Sequence, residues 1–328
     1  GAEQLDQREK VRSVGHFLSL EMPIAPALAL SLSGRYDRYH FAVKDHLALD
    51  GDDSGTRNMS QFSPLLGLSY HPHTQFMLYA NFATAFQTPT TTELSNRADG
   101  RGGFNPDLDP EKIRSVELGT RLHHPHWPLD VELSLYQLDI RDMLLPFQVD
   151  DPLSEEIYFR NAGKTQNRGL ELALSASPAA RLEAHLAYTY SHFRFVDYVL
   201  NNAQLKNNEV PGQPPHHLFG ELRYYARKNI YTSLELEWVS DYFANDFNGP
   251  RPGSEGARSD FVNDASFRAD LRLGWRPGPW QFFAGIDNLL DTTYNGSIVP
   301  NAFGNRFFEP AAGRTAYAGI EWDLVWHH

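Results

Sequence analysis

The sequence contains no cysteine, which excludes disulfide frameworks, thiolate metal sites and cysteine nucleophiles. It also lacks any run of the roughly 18 to 20 apolar residues that a membrane-spanning helix needs. The longest near-candidate, from Ile24 to Leu32, is about half that length and is interrupted by Pro26. The sequence therefore excludes a helical membrane protein.

An excess of basic residues is also missing, because the formal net charge is -12. Such a chain has no continuous basic surface to neutralise phosphates, so nucleic acid is excluded as a partner. No Ser-His-Asp order, phosphate-binding glycine loop or zinc motif stands at a convincing spacing. The first residues, Gly1 to Arg12, carry no signal-peptide hydrophobic region, so we expect an internal fragment or a processed chain.

Alternation with a period of two residues runs through almost the whole chain, whereas a 3.6-residue stripe is not sustained. Aromatic residues make up 13% of the chain, yet the mean hydropathy is only -0.47 because apolar and polar residues alternate. A transmembrane strand needs only about 10 such residues. The clearest case places one set of residues on an apolar face, namely Ile230, Thr232, Leu234, Leu236 and Trp238, and the other on a polar face, namely Tyr231, Ser233, Glu235, Glu237 and Asp241.

Short and long connections alternate along the chain, which indicates about thirteen strands. The short, turn-rich ones are Met22 to Pro26, His71 to Thr74, His123 to Trp127, Ser177 to Ala180, Ala226 to Asn229 and Arg276 to Pro279. The long polar ones are Ala48 to Asn58, Gln87 to Asp109, Gln148 to Glu156, Val199 to Gln213, Asn245 to Val262 and Asp291 to Ala311.

Tight turns at one end and extended loops at the other are typical of outer-membrane barrels. Long irregular loops are uncommon in compact soluble domains, so their number counts against a soluble sandwich. The predicted fold is all-β, a transmembrane antiparallel up-and-down β-barrel that is only partial. Unpaired strand edges are not tolerated in a membrane, so we expect further strands upstream of Gly1.

Several motifs, in order along the chain, resemble the barrel motifs of TonB-dependent outer-membrane receptors. The most specific runs from Asn105 to Glu111 (Asn-Pro-Asp-Leu-Asp-Pro-Glu) and leads into Ser115 to Gly119. Each motif is weak alone, and the ordered set is specific. The others are Gly34 to Asp37, Phe62 to Pro64, Tyr79 to Phe82, Ala85 to Pro89 with Glu93-Leu94, Asn161 to Gly163, Arg168 to Glu171, Val210 to His216, Asp287 to Asp291 with Tyr294, Glu309-Pro310 and Gly313-Arg314.

The resemblance implies a complete barrel of about 22 strands, of which residues 1–328 would be the carboxyl-terminal portion with about 13. It implies a plug domain and a TonB-contacting segment upstream, neither of which this chain contains. It further implies active uptake of a scarce small molecule, most often an iron chelate such as a ferric siderophore. The expected partners are TonB through that upstream segment, outer-membrane lipid and lipopolysaccharide, and the expected state is a monomer in the bacterial outer membrane.

Three alternatives stay open at this point. The segment from Tyr294 to Pro310 resembles receptors of this family that import redox cofactors such as pyrroloquinoline quinone. A passive porin-like channel would show the same strands without a plug domain. A soluble β-rich carbohydrate-binding protein or hydrolase would show the same alternation, because antiparallel sheets with one solvated face also alternate.

Catalytic and metal sites are not predicted. Glu235 and Glu237 share a strand face, as a carboxylate pair for acid/base work would, but charge facing the lumen is ordinary in such a barrel. The histidines at 71 and 73 and at 123, 124 and 126 sit in short turns with no carboxylate or thiolate to complete a site. Haem receptors of the family tend to carry a histidine in the loop that corresponds to Thr88 to Phe104, which has none. We therefore expect no cofactor.

Ligand contacts in such a transporter come from the long loops and the upper lumen wall, where aromatic and charged residues converge. The alternative to ligand binding is that the loop aromatic residues pack on one another and that the arginines are solvated or bind lipopolysaccharide phosphates. The predicted ligand-binding residues are Arg97, Arg101, Phe104, Tyr242, Phe243, Asn245, Phe247, Arg251, Tyr294, Asn301, Arg306 and Phe307.

Overall fold

The computed structural model describes residues 6–47, 52–95, 97, 103–124, 127–147, 158–200 and 202–323. Within these ranges the structure consists mainly of β-strands, with a short α-helix α1 at Thr91–Ser95 and 3-10 turns at Arg258–Phe261 and Phe303–Asn305. The strands are β1 Gln7–Ala25, β2 Leu28–Asp45, β3 Gly55–His73, β4 Phe76–Gln87, β5 Glu111–His124, β6 Leu129–Phe147, β7 Tyr158–Ala179, β8 Leu182–Asp197, β9 Val199–Leu200, β10 Ala203–Gln204, β11 His216–Arg227, β12 Ile230–Val239, β13 Tyr242–Phe243, β14 Val262–Asn263, β15 Ser266–Trp275, β16 Trp280–Asp287, β17 Asn295–Ile298, β18 Phe308–Pro310 and β19 Thr315–Trp322.

The long strands form one 13-stranded antiparallel sheet in the order β1-β2-β3-β4-β5-β6-β7-β8-β11-β12-β15-β16-β19. Each long strand pairs with the long strands before and after it, which confirms the predicted up-and-down topology. Within the described residues β1 pairs only with β2, and β19 pairs only with β16. The described sheet is therefore an open wall rather than a closed barrel.

The predicted alternation of short turns and long loops is confirmed. For example, β7 and β8 are joined by Ala180-Arg181, whereas β12 and β15 are separated by residues 240–265. Several boundaries differ. β3 begins at Gly55 and so takes up the last part of the loop predicted from Ala48 to Asn58, and β1 continues to Ala25 through most of the turn predicted from Met22 to Pro26. The prediction also missed the two-stranded ladders β9/β10, β13/β14 and β17/β18, which are too short to show a period.

One face of the sheet is apolar even though it is solvent-exposed. Cross-strand register places Leu66 opposite Phe82, and Phe82 opposite Val116, all on this face. Phe82 is 39% exposed and Val116 55% exposed. Such exposure across a wide, continuous surface marks a face that another apolar medium covers. Large members of the apolar face include Leu18, Leu32, Leu68, Leu118, Leu135, Leu222, Leu236, Leu273, Trp275, Trp280, Ile320 and Trp322.

The opposite, polar face carries aromatic rings that lie over glycines of the neighbouring strand. Tyr231 is the register partner of Gly274, and a Cβ built on Gly274 would lie 2.1 Å from the Tyr231 ring. Only glycine leaves room for a ring to lie flat against the neighbouring backbone. Each pair therefore adds a packing contact between neighbouring strands on a face that has no apolar core. The same arrangement joins Tyr79 to Gly119, Tyr136 to Gly169, Tyr317 to Gly285 and Phe283 to Gly319.

Buried hydrophobic residues gather at the long-loop end of the sheet in three clusters. The first surrounds Phe41 and Leu94, the second Phe195 and Tyr198, and the third Phe261 and Phe307. The described parts of the loops that carry Leu94, Leu205 and Phe307 are thus folded against the upper strands. No helix among the described residues is long and apolar enough to cross a membrane.

Candidate ligand site at the long-loop end

Two of the sequence motifs, Asn105 to Glu111 and Asn161 to Gly163, are joined by hydrogen bonds at the long-loop end of the sheet. The Asn161 amide accepts from the Asp109 backbone N–H at 2.7 Å and donates to the Asp109 carbonyl at 2.8 Å and to the Asp142 carbonyl at 2.5 Å. These bonds join the loop between β4 and β5 to the upper ends of β6 and β7. A Cβ built on Gly163 would lie 1.4 Å from the Asp197 carbonyl oxygen, so the chain requires glycine where β7 approaches β8.

The loop between β4 and β5 is fixed by its own turn chemistry. Thr90 and Glu93 form a capping box at α1, in which the Glu93 carboxylate accepts from the Thr90 backbone N–H at 2.6 Å and the Glu93 N–H donates to Thr90 Oγ1 at 3.3 Å. The box directs Leu94 into the first hydrophobic cluster, where it is fully buried. Arg57 donates to the Asn105 carbonyl and, at 3.2 Å, to the Asp109 carboxylate.

The motif from Asp287 to Asp291 is a structural joint as well. Asn288 is buried, and its backbone N–H donates to the Asp270 carboxylate at 2.7 Å. Its side-chain amide donates to the Thr292 carbonyl and accepts from the Thr292 backbone N–H. Asn288 and Asp291 both adopt positive φ angles, which asparagine and aspartate tolerate better than most residues. Arg314 donates from its backbone to Asp291 and from its side chain to the Leu289 carbonyl, and so ties the end of β16 to the start of β19.

A buried polar network connects three other long loops. Asp246, only 1% exposed, accepts from the Tyr198 hydroxyl at 3.2 Å and from the Asn301 amide at 3.1 Å. The side-chain Oδ1 of Asn301 in turn accepts from the Asp246 backbone N–H at 3.0 Å. Arg160 donates to the Tyr198 hydroxyl at 3.2 Å. We call Arg160, Tyr198, Asp246 and Asn301 the loop network.

Burial controls the protonation of this network. Loss of hydration raises the pKa of the Asp246 carboxyl, and the bonds from Asn301 and Tyr198 only partly offset it. Burial, followed by the nearby Asp246 charge, raises the pKa of Tyr198 to about 12. The network is therefore assembled around a neutral tyrosine whose hydroxyl donates a hydrogen bond to the aspartate.

Several predicted ligand-binding residues are buried supports of the loops. Phe104 packs edge-on against Phe41 at a ring distance of 6.4 Å, and Phe307 packs against Phe261 at 5.7 Å. The Asn245 side chain forms a hydrogen bond within its own turn, where it donates to the Gly249 carbonyl at 2.8 Å. Phe104 and Phe307 therefore make packing contacts, and Asn245 stabilises its own turn. Two more predicted residues, Phe247 and Asn301, hold loops together.

Other predicted residues face the open space beside these supports. Arg251 and Arg306 are exposed, and Arg97 is half-buried just after α1. The Phe243 ring is covered by the Arg258 guanidinium at 4.7 Å, and burial raises the pKa of the Tyr242 hydroxyl. The predicted residue Arg101 lies outside the described residues.

The upper polar face joins this set through Tyr294, whose hydroxyl accepts from Arg268 at 3.3 Å. Arg268 also pairs with Glu237 at 2.8 Å, and Glu237 pairs with His217 at 2.9 Å. Arg272 pairs with Glu235 at 2.9 Å. Both carboxylates considered for acid/base work are thus ion-paired within the wall.

The described residues contain no group of three or more His, Asp or Glu side chains arranged to hold a metal ion. His123 is paired with Asp130 at 2.6 Å, and His124 accepts from the Trp127 backbone at 2.9 Å. Both histidines therefore serve the short turn between β5 and β6.

Sequence reasoning missed Arg160, Tyr198, Asp246 and Arg258. Tyr198 stands directly before a predicted loop, and Asp246 lies in a run of turn residues from Asn245 to Gly249, so neither has a periodic signal. Their association depends on loops that are distant in the sequence. The sequence did indicate this region, because polar residues lie between aromatic ones inside a long loop, as in Phe243 to Phe247.

The chain belongs to the TonB-dependent receptor family: its sequence matches the family model described as TonB dependent receptor-like, beta-barrel, over residues 2–289. Proteins of this family are outer-membrane barrels, which confirms the predicted location and shows the soluble alternative to be wrong. The apolar face of the sheet is therefore the lipid-facing surface, and the polar face lines the lumen. The family consists of receptors and transporters rather than enzymes.

Among curated relatives, the chain is 24% identical over 298 residues to the ferrioxamine receptor of Yersinia enterocolitica, a match that covers 90% of this chain and 38% of that protein. It is 24% identical over 253 residues to the catecholate siderophore receptor Fiu of Escherichia coli K12, covering 76% of this chain and 31% of Fiu. The chain thus spans less than half the length of these relatives.

Among solved structures, the chain is similar to the ferric yersiniabactin uptake receptor FyuA from Yersinia pestis, with a TM-score of 0.76 and 17% identity. That match covers 97% of this chain and 46% of FyuA. The closed form of Fiu from E. coli gives a TM-score of 0.74 at 18% identity, covering 96% of this chain and 45% of Fiu. At these identities the likeness establishes the fold.

Proposed function

We propose that the chain is the carboxyl-terminal wall of an outer-membrane active transporter that takes up a ferric siderophore. The observation that carries the proposal is that Arg251 and Arg306 are exposed, and Tyr242, Phe243 and Tyr294 half-buried, in the loops at the long-loop end of the sheet. Guanidinium groups bind anionic carboxylate or catecholate oxygens, and aromatic rings pack against the chelate. The names of the relatives, which are siderophore receptors, support this choice of ligand.

In this proposal the loop network holds the binding residues in place and does not itself touch the ligand. Phe104, Asn245, Asn301 and Phe307 support the loops, while Arg97 and Phe247 stay candidate ligand contacts. Arg101, which lies outside the described residues, stays a predicted contact. Energy for uptake comes from TonB through a segment outside this chain. The protein acts as a monomer, catalyses no reaction and surrounds itself with outer-membrane lipid and lipopolysaccharide.

The test is binding and uptake by the full-length protein under iron limitation. Iron-55 complexes of a hydroxamate, a catecholate and a citrate chelator are offered to cells that carry wild type or the double variant Arg251→Gln/Arg306→Gln. We expect the preferred complex to bind about tenfold more weakly to the variant, because two charge-assisted contacts are lost. The matched control is Arg227→Gln/Arg276→Gln, which removes the same charge from the short turns.

Three results decide among the alternatives. Iron uptake that depends on TonB and weakens in the loop variant alone supports the proposal. Binding of pyrroloquinoline quinone in place of every iron complex would support the redox-cofactor alternative, which the segment from Tyr294 to Pro310 suggests. Solute passage that is independent of TonB and equal in all variants would overturn active transport in favour of a passive channel.

A further inference from the structure

The lumen-facing side of the sheet differs between the early strands β2 to β5 and the late strands β11 to β19. Barrels of about 22 strands have a plugged lumen, so a solute has to pass between the plug and one part of the wall. A part of the wall that leaves space beside small polar side chains favours such a passage. The two groups of strands differ in this respect near the short turns, where the solute leaves the lumen.

The early strands leave a recess in the lumen-facing side, which we call the wall recess. Its volume is about 370 Å³. Cross-strand register places Ser31 beside Gly67, and Gly67 beside Asn81, so a row of small side chains crosses β2, β3 and β4. Ser69 and Tyr79 face each other in the next row toward the short turns. The wall recess therefore lies about 10 Å above the short turns, since Tyr79 is the fourth residue of β4.

The side chains around the wall recess are able to bind a polar solute. Among the described residues, the Ser31 and Ser69 hydroxyls and the Asn81 amide have no hydrogen-bond partner. The Tyr79 hydroxyl donates to Glu117 at 2.6 Å, which fixes the carboxylate at the border of the recess. Hydrogen bonds from neutral hydroxyl and amide groups bind weakly, because each replaces a bond to water. Such contacts hold a passing solute weakly enough for it to leave.

Aromatic rings cover the lumen-facing side of the late strands at a similar height. The Arg223 guanidinium lies 5.3 Å from the centre of the Tyr231 ring, and the Tyr225 ring lies 6.3 Å from it. On the last two long strands, the Phe283 and Tyr317 rings are 6.4 Å apart. A further space of about 400 Å³ is lined mainly by residues of the turn between β7 and β8, so it gives no path along the wall.

Ion pairs occupy the late wall above these rings. Glu221 pairs with Arg223 at 2.6 Å and accepts from the buried Ser233 hydroxyl at 2.6 Å. Arg272 pairs with Glu235 on the adjacent strand at 2.9 Å. A solute could pass here only if these pairs separated, which would leave partly buried charges without partners. The wall recess requires no such separation.

We infer that the solute leaves the lumen along the wall recess, beside Ser31, Ser69 and Asn81, and not along the late wall. The inference rests on the proposed transport function and adds the route to it. The solute class that fits is a polar molecule rich in oxygen and nitrogen groups, which exchanges its bonds to water for bonds to these side chains. A recess of about 370 Å³ lies within the range of small-molecule sites. Glu117 and Arg121 border it with one charge of each sign, so the recess does not select for the sign of the solute's charge.

The experiment places a removable obstacle in the wall recess. Because this chain contains no cysteine, the variant Ser69→Cys supplies a thiol that a bulky thiosulfonate reagent blocks and a reductant restores. The full-length protein is used in cells, with any cysteine outside this chain replaced by serine. The control is Glu321→Cys, an exposed lumen-facing position of β19 that pairs with Gln281 near the last short turn. Each variant is its own reference, since uptake is measured before the block, after it and after reduction.

Surface binding of the iron-55 complexes is measured on ice, and TonB-dependent uptake at growth temperature. We expect the block at Ser69→Cys to lower the uptake rate about tenfold, because the added group fills space that the solute needs. Surface binding should not change, since the long loops lie at the other end of the strands, and reduction should restore uptake. The same block at Glu321→Cys should leave both quantities unchanged.

Uptake that persists after complete modification of Ser69→Cys, as read from the protein mass, would overturn the inference. An equal loss of uptake at both positions would do the same, because the obstacle would then act anywhere in the lumen. A thiol at Ser69→Cys that resists even a small reagent during uptake would also overturn it, since the recess would then be filled. If the unmodified wild type shows no TonB-dependent uptake, the proposed function itself fails and the inference fails with it.

Discussion

The first eight strands and the last five long strands of the sheet differ in length. Strands β1, β3 and β6 have 19 residues and β7 has 22, whereas β12 and β15 have 10 and β16 and β19 have 8. About 10 residues suffice to cross the membrane. Apart from β4 with 12 residues and β5 with 14, the early strands therefore project well beyond the hydrocarbon, and the late strands end close to its surface.

The two regions use the space above the membrane differently. Above the early strands the sheet itself continues, and its outward side carries polar residues such as Arg114, Gln137 and Arg168. Above the late strands the loops fold over, packed around Phe261 and Phe307 and tied by Asp246. The comparison teaches that long strands extend the sheet beyond the hydrocarbon, while short strands free residues for loops that pack on one another.

The largest loss of stability in the long strands is expected from a substitution at Gly163, where β7 approaches β8. Replacing it with alanine puts a Cβ onto the Asp197 carbonyl, so the upper parts of β7 and β8 must separate. We expect a loss of stability of about 3 kcal/mol or more. The measurement is the thermal midpoint of the folded band in semi-native electrophoresis.

The matched control is Gly220→Ala in β11, where the nearest atoms to a built Cβ are 3.9 Å away. This variant should match wild type to within about 1 kcal/mol. If Gly163→Ala melted with the control, the close approach of β7 to β8 would not limit the sequence there.

The packed loops of the late region depend on Asp246. Asp246→Ala leaves the Tyr198 hydroxyl and the Asn301 amide buried without this partner, at a cost of about 2 kcal/mol. We expect trypsin to cut faster after Arg258 in the same loop, since the bond after Arg251 precedes proline and resists the enzyme. Cleavage rates are read from peptide masses over time.

Asp264→Ala is the control for this second change, because Asp264 is an exposed carboxylate near the same loop. It should leave the cleavage rate at Arg258 unaltered. Equal acceleration by both variants would mean that the loss of charge, not the loop network, opens the loop.

The wall could be predicted from the sequence because a two-residue period records which side of a strand faces lipid. Leu234 and Glu235 fall on the faces expected of them, and the short turn at Ala226 to Asn229 lies where turn residues indicate. Strand pairing adds no further unknown when every long strand pairs with the next. Local rules thus sufficed for the topology.

The site could not be predicted to the same depth, because its contacts join distant loops. Tyr198 and Asp246 are 48 residues apart, and Asp246 and Asn301 are 55 apart. Nothing in the spacing of these residues distinguishes a buried polar bond from a solvated loop. For the same reason the sequence does not show that Phe104 and Phe307, which were predicted as ligand contacts, lie in buried hydrophobic clusters of the loops.

A third change tests what the two regions share. Gly274→Ala in the late region forces the Tyr231 ring off the sheet, and Gly119→Ala in the early region does the same to Tyr79. Because the ring can swing away, we expect each variant to lose only about 1 to 2 kcal/mol. Chemical denaturation in detergent measures both.

Equal losses of stability in these two glycine variants would confirm that the packing of rings over glycines contributes equally to the stability of the sheet in both regions. The double variants Gly274→Ala/Tyr231→Leu and Gly119→Ala/Tyr79→Leu remove the collision and should recover part of the loss. A loss at Gly274 alone would instead make the device specific to the shorter strands.

The smallest expected effect separates the packed loops from the wall by pH. The pKa of Tyr198 is about 12 in the folded loops and about 10 in an unfolded chain, so folding holds its proton more tightly. The stabilising contribution is complete below pH 10 and is lost as pH rises through 12, which amounts to about 1 kcal/mol at pH 11. Since this chain has no cysteine, a fluorophore on Glu255→Cys reports loop mobility by anisotropy, and one on Lys228→Cys reports a short turn. We expect anisotropy to fall between pH 10 and 12 at the loop alone, and the added variant Tyr198→Phe to flatten that fall. A parallel fall at both positions would indicate that the whole wall loosens, and the division between the two regions would not hold.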